Sequence, residues 1–176
     1  MSEAIDAMAA AFSKLSAGEC FVPKRTIAST REKALNLLLK PAFIQQPNRA
    51  GIKILTQKTK AVIPGIPTIL GIVLLIDTNT GEILSIMDGE YITALRTGAA
   101  SGLATKYLSR KESKTVAIFG CGTQGKTQLT AVNAVRDIQQ TFVFDRSSEA
   151  GEAFIDEMNC KVSGDIQFTN DLSVLR

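Results

Sequence analysis

A glycine-rich turn holds the residues whose types and spacing most clearly indicate a chemistry, and it reads Gly120-Cys121-Gly122-Thr123-Gln124-Gly125. The apolar run before it, Thr115–Phe119, predicts a buried parallel strand, and the pattern after it predicts a helix from Thr123 to about Val135. A second apolar run, Thr141–Phe144, is followed by Asp145, twenty residues after the last glycine of the turn. Strand, glycine turn, helix, strand and acid in this order are typical of a dinucleotide-binding unit.

Each glycine of this turn has a separate physical use in such a unit. Gly120 would permit the tight turn, Gly122 would let the backbone approach a pyrophosphate, and Gly125 would let helix and strand pack closely. Thr123 and Gln124 open the helix, whose free N–H groups and positive dipole end suit phosphate groups. The alternative is a glycine-rich turn that holds no ligand.

The acid after the second strand bears on which dinucleotide would bind. The carboxylate of Asp145 suits the two ribose hydroxyls of NAD(H) and would repel the 2′-phosphate of NADP(H), whereas Arg146 is the kind of residue that accepts that phosphate. We therefore predict NAD(H) as the preferred cofactor, with NADP(H) as the alternative. Asp145 could instead be a strand-end cap without a ligand. Cys121, although it lies at a helix N-terminus, is predicted to be a passive small residue.

Composition narrows the classes of function. The chain has 176 residues and a formal net charge of +3 from 20 basic and 17 acidic residues, which is too mild to indicate nucleic acid or a membrane surface as a partner. Its three cysteines show no CxxC spacing, which favours reduced thiols and a cytoplasmic location. The absence of histidine excludes Ser-His and Cys-His nucleophile pairs and most zinc sites, so no metal site is predicted.

The elements before residue 110 predict a mixed α+β region. A helix over 2–17 precedes a meander of strands, of which the stretch 68–77 is predicted to be long and buried and to turn back at the hairpin signal 78–81. A helix over 91–108 carries many small residues, which we interpret as a packing face. The polar stretch 109–114 is a plausible domain boundary. The predicted strands lie at 20–22, 34–40, 51–57, 68–77 and 82–87.

The elements from residue 115 onward predict a parallel sheet with helices. After the glycine turn come a strand, a helix over 148–158, a short strand near 166–168 and the start of a helix over 170–175. A complete fold of this kind has two βαβαβ halves. We therefore expect an α/β fold with a mixed domain at 1–110 and the first half of a Rossmann domain at 115–176, as in a fragment of a longer protein.

Several segments resemble the ornithine cyclodeaminase/μ-crystallin family along essentially the whole chain. Residues 91–100, which read YITALRTGAA, resemble the family's LTALRTAA signature, and residues 120–124 resemble its GxGxQ phosphate turn. Further matching pieces lie at 22–25, 51–53, 65–68 and 77–81. The resemblance implies an NAD(P)-dependent enzyme that acts on a small α-amino or α-imino acid, as ornithine cyclodeaminase, alanine dehydrogenase and ketimine reductase do. It also implies a homodimer formed through the N-terminal domain.

The resemblance assigns roles to particular residues. Arg25, Lys53 and Arg96 match the cluster that grips the substrate α-carboxylate, and Lys53 could also polarise or protonate an imine as a catalytic residue. Thr68 matches a position between substrate and cofactor. The residues that match pyrophosphate contacts are Thr123 and Gln124, and Asp145 matches the acid on the adenosine ribose.

Each assignment has a plainer alternative. Arg96 and Arg25 could be surface charges, Lys53 could face solvent from an edge strand, and Thr68 could simply begin a strand. The chain also departs from the family pattern. Lys40 stands where the family usually has Met, an opening strand and short helix are absent, and the family's catalytic aspartate would lie in a second Rossmann half. There are therefore two alternatives to an enzyme. One is a non-catalytic binding protein of the μ-crystallin kind, and the other is an inactive fragment.

Overall fold

A computed structural model describes residues 1–32, 34–59 and 66–175 of the chain, which form two compact units. The antiparallel unit comprises residues 11–93, and the parallel unit comprises residues 1–10 with the chain from residue 94 onward. Two helices, α1 (Ser2–Ser16) and α2 (Gly89–Leu108), run through the division. Gly65, part of one matching segment, lies outside the described residues.

The antiparallel unit is built on one sheet, in which the strands follow one another as a meander. The strands are β1 (Cys20–Phe21), β2 (Thr26–Ser29), β3 (Leu35–Ile44), β4 (Arg49–Lys58), β5 (Ile69–Asp77) and β6 (Ile83–Asp88). Their order in the sheet is β1-β3-β4-β5-β6, and β2 also pairs with β3. The predicted hairpin turn is shaped by Gly81, which has a φ of 79°, and by the carboxylate of Asp77, which accepts the backbone N–H groups of Asn79 and Thr80.

Two strands of this sheet differ from the expectation. The strand β2 was not predicted, because its four residues are all exposed and carry no apolar alternation. The strand β3 was expected to end at Lys40, but it continues through Pro41 to Ile44. Pro41 falls between the part of β3 that pairs with β2 and the part that pairs with β1, where a missing N–H costs no ladder bond on that side.

The prediction that 68–77 is a buried strand is wrong about burial. The strand β5 forms, but Ile69, Leu70 and Ile72 are exposed, and none of its residues is fully buried. An apolar run indicates a surface that can be covered, and here the described residues leave much of that surface open.

The parallel unit contains one βαβαβ arrangement. Its elements are β7 (Thr115–Phe119), α3 (Thr123–Asn133), β8 (Gln140–Phe144), α4 (Ser148–Met158), β9 (Asp165–Phe168) and a short 3-10 helix (Leu172–Leu175). The three parallel strands lie in the order β7-β8-β9, and the core between strands and helices includes Leu129, Val143 and Phe154. The predicted α/β class, with a mixed antiparallel region followed by half of a Rossmann arrangement, is confirmed.

The strand β7 is parallel, as predicted, but it is not buried along its length. Only Ile118 is buried, and the ring of Phe119 is 66% exposed while it stacks on Phe144 with 4.7 Å between ring centroids. Among the described strands β7 lies at an edge of its sheet, whereas β8 lies between two neighbours and buries four of its five residues.

The small residues of α2 form a packing face, as predicted, within the parallel unit. A Cβ on Gly98 would lie 2.6 Å from the carbonyl oxygen of Thr127 in α3, and a Cβ on Gly102 would crowd Ile5 and Ala131. The compact units divide between Thr93 and Ala94, inside α2, and the assignment of 1–110 and 115–176 to two domains stays a prediction. None of the described helices has the length and apolar character needed to cross a membrane.

Candidate functional site

The glycine turn between β7 and α3 adopts a conformation that requires its glycines. Gly120 has a φ of 100°, which side chains rarely tolerate, and its N–H donates to the carbonyl of Phe144 at 2.8 Å. A Cβ on Gly125 would overlap the carbonyl oxygen of Gly120, so any other residue would push α3 away from the turn. Space is open above Gly122, because a Cβ there would meet nothing within 4 Å.

The first turn of α3 presents backbone N–H groups that could bind an anion. Its N-cap residue is Gly122, which provides no side-chain cap among the described residues, and Thr123 and Gln124 are exposed. Uncapped N–H groups at a helix start bind phosphate groups well. A cleft of about 600 Å³ runs along this turn, and it is lined by residues 117–120, residues 122–125 and Gln128.

Asp145 ties the second strand to the glycine turn. Its Oδ2 accepts the N–H of Cys121 at 2.8 Å, and its Oδ1 accepts the N–H of Ser147 at 3.2 Å. These two backbone donors, that of Cys121 above all, hold the pKa of the Asp145 carboxyl below its ordinary value. The side chain therefore caps backbone groups, as the plainer alternative expected. Each carboxylate oxygen still has a further acceptor position for a hydroxyl group.

A second hollow opens beside Asp145 at the ends of β7 and β8. It is lined by Phe119 and Phe144, which stack on each other, and by Gly120, Asp145, Arg146, Asn170 and Leu172. Arg146 is exposed at its border. An exposed aromatic surface next to a carboxylate acceptor is suited to a flat ring that carries a polyol.

Cys121 is not a reactive thiol in this arrangement. The residue is 5% exposed, and burial, followed by the nearby Asp145 carboxylate, raises the pKa of its thiol. A thiol whose pKa is raised is mostly protonated and a poor nucleophile. The group of Cys121 that contributes to this turn is its backbone N–H, which donates to the Asp145 carboxylate.

Lys53 lies in the middle of the antiparallel sheet rather than at an edge. It is half-buried in β4, between β3 and β5, and its Nζ donates to Oγ1 of Thr93 at 3.1 Å. The Thr93 hydroxyl in turn donates to the carbonyl of Gly89 at 2.5 Å, within the first turn of α2. The alternative of an edge-strand lysine is therefore wrong.

Arg25 and Lys53 are brought to the same part of the antiparallel unit. Arg25 is exposed, and it immediately precedes Thr26, which pairs with Leu39 in β3. One residue further along β3 stands Lys40, and Lys40 pairs directly with Lys53 in β4. Lys40 therefore lies between the two predicted site residues. No spacing in the sequence signals this neighbourhood, because it depends on the register of three strands.

The two remaining predicted site residues, Thr68 and Arg96, are both exposed. Thr68 is exposed just before β5, and its carbonyl accepts the N–H of Lys58 at 2.9 Å. Arg96 is exposed on α2, three residues after Thr93, and it belongs to the parallel unit. Their roles toward a substrate or a cofactor stay predictions.

Comparison with known proteins gives a consistent result along the chain. A model of the ornithine cyclodeaminase/mu-crystallin family matches residues 1–171. A Delta(1)-pyrroline-2-carboxylate reductase from Bacillus cereus is 38% identical over 154 residues, which cover 88% of this chain and 47% of that protein.

Solved structures give the same match. The structure of the Thermococcus litoralis Delta(1)-pyrroline-2-carboxylate reductase, in complex with NADH and L-proline, is 37% identical with a TM-score of 0.90, and the match covers 97% of this chain and 53% of that one. An archaeal alanine dehydrogenase dimer with bound NAD is 32% identical with a TM-score of 0.83, and 94% of this chain and 51% of that one are covered. The chain thus spans about half the length of these relatives.

Proposed function

Because the chain belongs to the ornithine cyclodeaminase/mu-crystallin family, we propose that its protein transfers hydride between a nicotinamide dinucleotide and the α-carbon of a small α-amino or α-imino acid. The observation that carries the proposal is the glycine turn itself, in which Gly120 and Gly125 are sterically required and the space above Gly122 is open. The relatives support the chemistry, since they include a pyrroline-carboxylate reductase and an alanine dehydrogenase.

The cofactor proposed is NAD(H). The exposed start of α3 at Thr123 and Gln124 would hold the pyrophosphate, and Asp145 would accept the ribose hydroxyls while its charge disfavours a 2′-phosphate. Arg146 at the border of the same hollow is the residue that would admit NADP(H). The nicotinamide supplies the hydride when bound, and the protein supplies position and charge.

The substrate-binding residues proposed are Arg25, Lys53 and Arg96, the three that match the family's carboxylate-binding residues. An Arg guanidinium offers a planar fork to the α-carboxylate and a Lys ammonium offers a compact charge. Lys53, whose Nζ donates to the Thr93 hydroxyl, would hold or deliver a proton at the imine nitrogen. Thr68 would stand between substrate and cofactor. We propose net reduction of an imino acid, the reaction class for which the pyrroline-carboxylate reductases are named, with cyclodeamination as the alternative.

Two further properties complete the proposal. We infer a homodimer formed through the antiparallel unit, because that unit exposes apolar side chains on its sheet and because one relative is a dimer. A cytoplasmic location agrees with three cysteines that are all free in the structure.

A fluorescence titration with NADH and then NADPH tests the cofactor half of the proposal on the 176-residue chain. We expect saturable binding, with NADH bound more tightly than NADPH. The substitution Gly122→Val fills the open space above the turn and should weaken NADH binding by roughly 10-fold or more, equivalent to at least about 1.4 kcal/mol.

The matched control is Ala134→Val at the exposed C-cap of the same helix, which should leave NADH binding unchanged. If the unmodified chain binds neither nucleotide, or if Gly122→Val binds NADH as the unmodified chain does, the proposed phosphate site is wrong. Consumption of NADH in the presence of pyruvate and ammonia, or of a cyclic ketimine, then separates turnover from binding alone.

A further inference from the structure

Two lysines stand directly opposite each other in the antiparallel sheet. Lys40 of β3 and Lys53 of β4 are register partners, and both are half-buried. Opposite residues of an antiparallel pair project from the same face, with Cβ atoms about 4.5–5.5 Å apart, and like charges in that arrangement destabilise a sheet. The fold therefore places two lysine side chains opposite each other, at positions where an apolar partner would be more stable.

The neighbourhood of Lys40 adds further positive charge. Arg25 immediately precedes Thr26, and Thr26 pairs with Leu39, the residue before Lys40 in β3. The residues next to Lys40 and Lys53 on that face are apolar, namely Leu38, Ala42, Gly51, Leu55 and Val73. Within the described part of the chain, Lys40 has no hydrogen bond or ion pair, and the nearest acid of β5 on that face, Asp77, is paired with Arg49.

A single carboxylate does not balance this cluster. Arg25 and Lys53 already suffice to grip one α-carboxylate, and Lys40 then remains as a surplus cation between them. A second anionic group on the same small molecule would neutralise the surplus charge and would relieve the repulsion between the opposed lysines.

We propose that Lys40 is a specificity-determining residue that binds a second carboxylate, so that the substrate class is an α-amino or α-imino acid with an acidic side chain. This inference rests on the proposed function, because it assumes that Arg25 and Lys53 hold the α-carboxylate. It adds the charge of the side chain, which the family resemblance leaves open.

The test is calorimetric titration of the 176-residue chain with L-glutamate and with L-norvaline, two amino acids whose carbon chains have the same length and which differ in the terminal carboxylate. For the unmodified chain we expect L-glutamate to bind roughly 10-fold or more tightly than L-norvaline, which corresponds to one well-formed charged contact. Lys40→Met removes the charge and keeps an unbranched side chain, and it should reduce this preference to about 2-fold or less.

Three further variants test whether the preference for L-glutamate depends on the charge of Lys40. Lys40→Gln repeats the test with a polar side chain, in case methionine alters folding, and far-UV circular dichroism checks each variant. Lys111→Met removes an exposed lysine far along the sequence and should leave the preference as it is in the unmodified chain. Lys53→Met should weaken the binding of both amino acids, because it removes a contact to the α-carboxylate that they share.

The outcomes separate this inference from the proposed function. Equal binding of the two amino acids by the unmodified chain, or equal loss of both on Lys40→Met, overturns the second-carboxylate assignment and leaves the α-carboxylate site standing. Unchanged binding of both on Lys53→Met overturns the α-carboxylate site and this inference with it. Binding of neither amino acid also overturns the inference, and the nucleotide titration still judges the cofactor site independently.

Discussion

Asp145 acts on the glycine turn through one side chain that accepts hydrogen bonds from two backbone segments. Its carboxylate joins the N–H of Cys121, inside the turn, to that of Ser147, at the start of α4. The fold therefore already orients this side chain, which we propose as the acceptor for ribose hydroxyl groups. Such preorganisation means that a bound nucleotide does not have to order this side chain.

The charge of Asp145 should make the parallel unit sensitive to acid. Its pKa is lowered in the folded chain, so its stabilising contribution is present above the unfolded value of about 3.9 and is lost as the pH falls through the lower folded value. Asp145→Asn keeps an acceptor and removes the charge. We expect it to lower the thermal midpoint at pH 7, and we expect the difference from the unmodified chain to shrink below about pH 4.

Circular-dichroism melts across that range check this expectation. Glu149→Gln is a suitable control, because Glu149 also has a lowered pKa but owes it mainly to the Ser147 hydroxyl, and within the described residues it has no hydrogen bond to the glycine turn. A difference between Asp145→Asn and the unmodified chain that stays constant down to the lowest pH would contradict the argument.

At the scale of residues, local requirements were predictable from the sequence and register was not. Gly120 and Gly125 are needed for reasons that lie within a few residues of each, so the motif alone located them. The family signature that was recognised in residues 91–100 is confirmed by the match over 1–171. The opposition of Lys40 and Lys53 depends on how β3 pairs with β4, and no spacing along the chain encodes that pairing.

At the scale of elements, the order of the strands and helices with a strong apolar pattern was predictable, whereas the exposed strand β2 and the burial of β5 were not. The bounds of β7 and α4 agree with the prediction, because each has strong periodicity and clear flanking signals. The exposure of β5 could not be inferred, since an apolar run looks the same whether it is covered by its own chain or left open.

The close packing of α2 against α3 within the parallel unit predicts how a substitution at Gly98 changes stability. Gly98→Ala would gain about 1 kcal/mol of helix propensity, but its new methyl group would meet the Thr127 carbonyl, and overpacking typically costs about 1–3 kcal/mol. Because the obstacle is backbone, we expect the free energy of unfolding to fall by roughly 1 kcal/mol in net terms.

Urea unfolding measures this change, and an exposed position of the same helix provides the control. Ala104→Gly alters propensity without a packing contact and should cost about 1 kcal/mol. A Gly98→Ala variant more stable than the unmodified chain would show that α2 and α3 can move apart at little cost, and the close approach would then not be a structural requirement.

At the scale of the whole molecule, one face of the antiparallel sheet exposes apolar side chains that the described residues leave uncovered. The outer sheet face is defined here by exposed apolar residues that register places on the same side, namely Phe43, Leu70, Ile72, Ile83 and Ile86. Ile83 is 60% exposed and Ile86 is 68% exposed, both on β6. Contiguous apolar surface of this kind usually marks an interaction site.

A second copy of the chain is the occupant that the dimeric relative favours, and the β6 side chains offer a direct test. Ile86→Glu places a charge at the most exposed position of the outer sheet face, where burial in an interface without a partner would be costly. We expect the unmodified chain to sediment as a dimer, and we expect Ile86→Glu to raise the dissociation constant of the dimer by roughly 10-fold or more.

Ser85→Glu is the control, because Ser85 lies on the opposite face of the same strand. Its register partner is Leu75, whereas Ile86 is paired with Leu74, and successive residues of a strand point to opposite faces. Ser85→Glu should therefore leave the dimer intact. A chain that is monomeric throughout, or one that Ser85→Glu dissociates as strongly as Ile86→Glu, would mean that the outer sheet face is not the surface through which copies meet.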